Sequence, residues 1–116
     1  MNPRPAVNLS AMTVLFGVED RKLFTRILNG FIGSENSKIV DALCAAIEAG
    51  NIGEISSEAH KLKSASRVVG ADVLAEVCEI VEEACKKQDL SDAFMLCRQV
   101  RDGFNDVNTF VRNWSE

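Results

Sequence analysis

The chain has a single histidine, His60, in the run Ala59-His60-Lys61-Leu62-Lys63-Ser64-Ala65-Ser66. Read as an α-helix, Ile55, Ala59, Leu62, Ser66 and Val69 fall on one narrow stripe that must face a core. His60 lies ~140° from Ile55, well outside that stripe. On the outer strip Ser56 stands one turn before it, Lys63 three residues after and Arg67 seven residues after, with Ser64 adjoining the strip one turn on from His60. A neutral imidazole is a nucleophile, and its charge changes near physiological pH. Facing water among cations, it is suited to taking up and releasing an anionic group.

A lone histidine is more often a hydrogen-bonding core residue or a plain surface one. The core version fails, because the apolar stripe is complete without His60. The surface version stays open on periodicity alone. An autonomous hydrolase or transferase would need a carboxylate or a second nucleophile beside the ring. Glu58 falls on another side of the helix, Glu54 lies well back, and the cysteines are predicted to point inward. A metal-binding bundle would need several inward Glu and His ligands, so no metal site is expected.

The elements that must position this strip are all helical. Apolar residues recur at three- and four-residue steps from about residue 20 onward, with no sustained alternation. A short segment from Leu9 to Phe16 precedes a helix carrying Leu23, Phe24, Ile27, Leu28 and Phe31. Ser34 is the expected N-cap of the next, which carries Ile39, Val40, Leu43, Cys44 and Ile47 and ends at Gly50. Asn51 and Glu54 form a variant capping box opening the histidine helix, and Gly70 is its natural left-handed stop. A fourth helix carries Leu74, Val77, Cys78, Val81 and Cys85. Ser91 is expected to cap the last, which bears Phe94, Cys97, Val100, Phe104, Val107, Val111 and Trp114. Short connections imply an all-α, antiparallel up-down four-helix bundle with a short N-terminal helical segment. Phe24, Phe31, Phe94, Phe104 and Trp114 are expected in the core, and Glu76, Glu79, Glu82 and Glu83 on a solvated face.

At 116 residues the chain is expected to be one domain, residues 1–116, with 1–7 flexible. Its formal charge of −4 argues against nucleic acid and favours a protein partner. No apolar run approaches a membrane span, and Met1-Asn2-Pro3-Arg4-Pro5 lacks a signal-peptide core. A cytoplasmic monomer is the expectation. Cys44, Cys78, Cys85 and Cys97 form no CxxC pair and lie on apolar stripes, so they are read as buried, reduced thiols.

The stretch from His60 to Ala71, followed by Leu74-Ala75, Cys78 and Val81-Glu82, resembles the signature of histidine-containing phosphotransfer (HPt) domains. That signature reads roughly H-x-L-K-G-x-S-x-x-x-G-A, then L-A and a later acidic residue. His60, Leu62, Lys63, Ser66, Gly70 and Ala71 match it in register. The resemblance implies a phosphorelay intermediate without kinase activity of its own. His60 would accept a phosphoryl group from a receiver-domain aspartate, usually of a hybrid sensor kinase, and pass it to the aspartate of a second receiver. Lys63, Arg67 and Ser64 would stabilise the phosphoryl group, and Lys61, Ser56 and Val68 would lie on the docking surface. Met12 and Leu15 could join that patch or cover one end of the bundle. The resemblance implies no cofactor of the chain's own, since Mg²⁺ resides on the receiver.

One position departs from the pattern. Ser64 stands where the family commonly has glycine, which there leaves room for the incoming receiver. The departure gives the alternative reading, a helical adaptor that binds receivers or kinases without being phosphorylated, its one support. Ser66, on the inner stripe, is read as a backbone-bonding small residue.

Overall fold

The computed structural model describes residues 4–114, which form six helices. They are α1 (Leu9–Phe16), α2 (Arg21–Phe31), α3 (Ser34–Ala49), α4 (Ile52–Val68), α5 (Asp72–Lys86) and α6 (Ala93–Trp114). The last four pack as an antiparallel four-helix bundle in the cyclic order α3, α4, α5, α6, and α2 leans on α6. The N-terminal addition is thus two helices, α1 and α2, of which α1 is the short one.

The core is the set of stripes read from the sequence. Leu28, Leu43, Ile47, Ile55, Leu62, Leu74, Val81, Val100 and Val107 are almost wholly shielded from solvent. Capping follows local chemistry. The Asp20 carboxylate accepts the backbone N–H groups of Lys22 and Leu23 at the start of α2, and Asn51 Oδ1 accepts from Glu54 at the start of α4. Two expected caps differ. Ser34 is the first residue of α3, with Gly33 in the cap position and no side-chain cap bond. Ser91 lies before α6 in a turn, where its N–H and hydroxyl both donate to Asp89.

Phe94 is a correction: it is 79% exposed, not core. Six residues of helix turn through about 600°, which sets Phe94 ~120° away from Val100 and off the buried stripe. Trp114 sits at the rim, where its Nε1 donates to Thr25 Oγ1 and the Arg21 guanidinium lies 3.9 Å over its ring. Met12 is buried and Leu15 is 56% exposed. All four cysteines are free and buried. Burial pushes the Cys78 thiol up to about 12 and that of Cys44 to about 11, so both are held in the neutral form.

The expectation that residues 1–7 are flexible covers Met1 to Pro3, which lie outside the described residues. Residues 4–7 are tied down: Arg4 forms a two-bond ion pair with Glu76, and Val7 is buried. Asn8 then donates its backbone N–H to Gly70 O at 2.7 Å and its side-chain amide to Asp72. Gly70 has φ +69°, and a Cβ there would come within 2.3 Å of Asn8 O. Left-handed geometry and close approach of the chain both require glycine. The same turn therefore ends α4 and seats the start of α1. No helix among the described residues is long and apolar enough to cross a membrane.

Candidate functional site

Helix α4 presents its inner face through Ile55, Ala59, Leu62 and Ser66, all buried. Ser66 donates its hydroxyl to Leu62 O at 2.7 Å, so its polar atom is satisfied within the helix. The outer face carries Ser56, His60, Ser64, Arg67 and Val68, all exposed. The His60 side chain is 68% exposed. Lys61 is exposed on the flank, and Lys63 is largely covered on the side facing α5.

Helix α5 supplies what the sequence reading placed in solvent. The Glu82 side chain is only 20% exposed and lies between two residues of α4. Its Oε1 accepts from Lys63 Nζ at 2.6 Å, and its Oε2 is 3.9 Å from His60 Nδ1. A carboxylate does stand beside the ring, delivered by the neighbouring helix. The one sequence signal for it was the acidic residue after Val81 in the motif, which the helical periodicity of α5 alone could not single out. Glu79 is also engaged, pairing with Arg67, and Glu76 pairs with Arg4.

These pairs change the electrostatics of the strip. Lys61 bonds Glu58 at 3.1 Å, Lys63 bonds Glu82 and Arg67 bonds Glu79. Each cation the sequence placed near His60 already faces a carboxylate, so the strip is locally neutral rather than basic. At the far end of the strip, Ala65, Val68 and Val69 border a shallow hollow with Ile27, Gly30 and Phe31 of α2. The site thus sets an exposed imidazole, a paired ammonium beside it and an apolar shelf two turns on along one face of α4.

A family model described as the Hpt domain matches residues 32–110. The chain belongs to the Hpt domain family. Members are phosphotransfer carriers rather than kinases and work with receiver domains in two-component phosphorelays; the coarse role of this Hpt protein is that of such a carrier. Its fold is similar to the crystal structure of histidine-containing phosphotransfer protein B (HptB) from Pseudomonas aeruginosa PAO1. The TM-score is 0.81 and the identity 24%, over 96% of this chain and 95% of that one. No curated protein matches the sequence. The matched region of the Hpt protein begins at Ile32 and so leaves out α1 and α2.

Proposed function

We propose that this Hpt protein accepts a phosphoryl group on His60 from the aspartyl phosphate of one receiver domain and donates it to the aspartate of another. The observation that carries this reading is the placement of the exposed His60 ring with Nδ1 turned toward Glu82. Nε2, the ring nitrogen farther from the backbone, is then the nucleophile. Its lone pair attacks phosphorus, the acyl-phosphate P–O bond breaks and the receiver carboxylate leaves. The product imidazolium carries its proton on Nδ1, beside the Glu82 carboxylate, which offsets the new positive charge. In the second transfer the P–N bond breaks, the electron pair returns to Nε2 and phosphorus bonds the next carboxylate. At 3.9 Å the contact is longer than a direct hydrogen bond and acts as a charge–charge contact once the ring is protonated.

Lys63 divides its charge between Glu82 and the phosphoryl group, the exposed Arg67 balances phosphoryl charge by turning from Glu79, and Ser64 offers a hydroxyl one turn beyond the ring. Lys61, Ser56 and Val68 lie on the face a receiver would cover. The receiver supplies Mg²⁺, so the chain's own residues do not hold a metal in this scheme. The test is transfer of radiolabelled phosphate from receiver domains charged with acetyl phosphate. Wild type is expected to gain an acid-labile, base-stable label and His60→Gln none, with equal helicity. Label on His60→Gln would overturn the assignment. A folded wild type that no receiver labels would favour the adaptor reading.

A further inference from the structure

Two of the buried thiols meet across a helix seam. Cys44 Sγ of α3 lies 3.8 Å from Cys97 O of α6, and Cys97 Sγ lies 3.7 Å from Cys44 O, so each thiol donates to the other residue's carbonyl. A cysteine sulfur stands only two bonds from its own Cα. Reaching the opposite carbonyl from both sides therefore brings the two backbones close at this level. A disulfide asks for that closeness, with Cα atoms roughly 4.4–6.8 Å apart. One turn along, Arg101 of α6 donates to Asp41 of α3 at 3.0 Å, holding the same two helices in register. Burial raises both thiols above their usual range, and each thiol also acts on the titration of the other.

The other two cysteines are placed differently. Cys78 and Cys85 share α5 and stand about 10.5 Å apart along its axis, beyond the reach of a disulfide. Cys85 Sγ lies 4.0 Å from Ile52 O of α4, and Cys78 is wholly buried near Glu82 and Lys63. Within the facing pair, Cys97 is 8% exposed and Cys44 1%, so the pair has one edge toward solvent, at Cys97. The α3–α6 seam also lies across the bundle from the α4–α5 seam that holds His60, Lys63 and Glu82.

We propose that Cys44 and Cys97 are a site of oxidative modification, converted by hydrogen peroxide to a disulfide that staples α3 to α6. Cys97, at the solvent edge, reacts first: its thiolate attacks one peroxide oxygen, the O–O bond breaks, and the departing hydroxide takes up the thiol's proton as water. The product is a sulfenic acid on Cys97. The Cys44 sulfur then attacks that sulfur and gives up its proton, the S–S bond forms, the S–O bond breaks and a second water leaves. Two thiols lose two electrons and the peroxide gains them. Because burial keeps both thiols protonated, the reaction is slow and answers sustained oxidant rather than a brief pulse. The staple joins residues 53 apart in the chain, and the loop it closes contains all of α4 and α5. Closing so long a loop restricts the unfolded chain and holds the bundle together. The proposal stands apart from the relay reading of His60.

The experiment exposes the reduced, folded full chain to about 1 mM hydrogen peroxide at about pH 8, where the thiolate fraction is raised. Intact mass should fall by two hydrogens. Alkylation after denaturation should then mark Cys78 and Cys85 alone, and a non-reducing digest should join the Cys44 and Cys97 peptides. The urea midpoint of the oxidised chain is expected to rise by about 1 M or more and to return with dithiothreitol. A Cys78→Ala/Cys85→Ala variant should keep the link, and Cys97→Ser should lose both the link and the gain. If a variant fails to fold, the wild-type peptide map and midpoint decide alone. Four thiols that all alkylate would overturn the proposal, as would Cys97 stopping at sulfinic acid. So would a link through Cys78 or Cys85, a disulfide-bonded dimer, or a linked chain that unfolds at lower urea than the reduced one.

Discussion

Lys63 Nζ lies 2.6 Å from Glu82 Oε1, tying the histidine-bearing helix to its neighbour beside His60. Both side chains are at least four-fifths covered, 16% and 20% exposed, so neither charge can be stranded cheaply. Lys63→Met leaves the Glu82 carboxylate unpaired and is expected to lower stability by about 1–3 kcal/mol at neutral pH. Adding Glu82→Gln should recover part of that loss, giving a coupling of ~1 kcal/mol or more in a double-mutant cycle. Urea unfolding of the four proteins checks this. Strict additivity would show that the pair contributes nothing.

Gly70→Ala combines a left-handed φ with a Cβ pressed on Asn8 O. The expected cost is about 1–3 kcal/mol, with faster amide exchange in residues 7–12, whose seat is the Asn8 to Gly70 bond. His60 should still take label at temperatures where the bundle holds. Unchanged exchange at Val7 and Met12 would show that α1 is seated by something other than this turn.

The bundle was legible in the sequence because each of its helices buries a stripe of period 3.6. What the stripe cannot say is which helix stands beside which. Glu82 illustrates the gap: on α5 alone it is one of several outward carboxylates, and only packing against α4 turns it toward His60 and Lys63. The cations failed for the same reason, since their neutralising partners Glu79 and Glu82 come from a different helix. Phe94 misled because steps of three residues drift off the stripe by 60° each. His60, Ser64, Arg67 and Val68 were placed correctly on the outer face, because exposure depends only on position within α4.

The buried thiols predict an alkaline limit. Cys78 titrates near 9 in an unfolded chain and is pushed up to about 12 by burial. Below pH 9 both states keep the proton and stability does not depend on this group. Above it the unfolded chain releases a proton that the folded one retains, so stability falls as pH rises toward 12. The slope approaches about 1.4 kcal/mol per pH unit for one such group. Urea midpoints across that window should fall less steeply for Cys78→Ala than for wild type, whatever its constant cavity cost. Equal slopes would refute the assignment to Cys78.

Ser64→Gly restores the residue the family commonly carries one helical turn beyond the histidine. Transfer to and from receivers should be equal or faster, with a helix cost of up to about 1 kcal/mol. Rapid-quench rates read the first quantity and thermal melts the second. A large loss of rate would make the hydroxyl a working part of phosphoryl binding.

The engagement of Lys63 by Glu82 bears on how firmly a cargo can be held. Under the proposed relay, a phosphoryl group on His60 would share Lys63 with the Glu82 carboxylate already bonded to it. Binding of the group then gains only the difference between two anionic partners of one ammonium, not the full attraction of a free one. Such competition would make the loaded state of the proposed relay a shallow stop along the route, from which the next receiver unloads without first breaking a tight clasp.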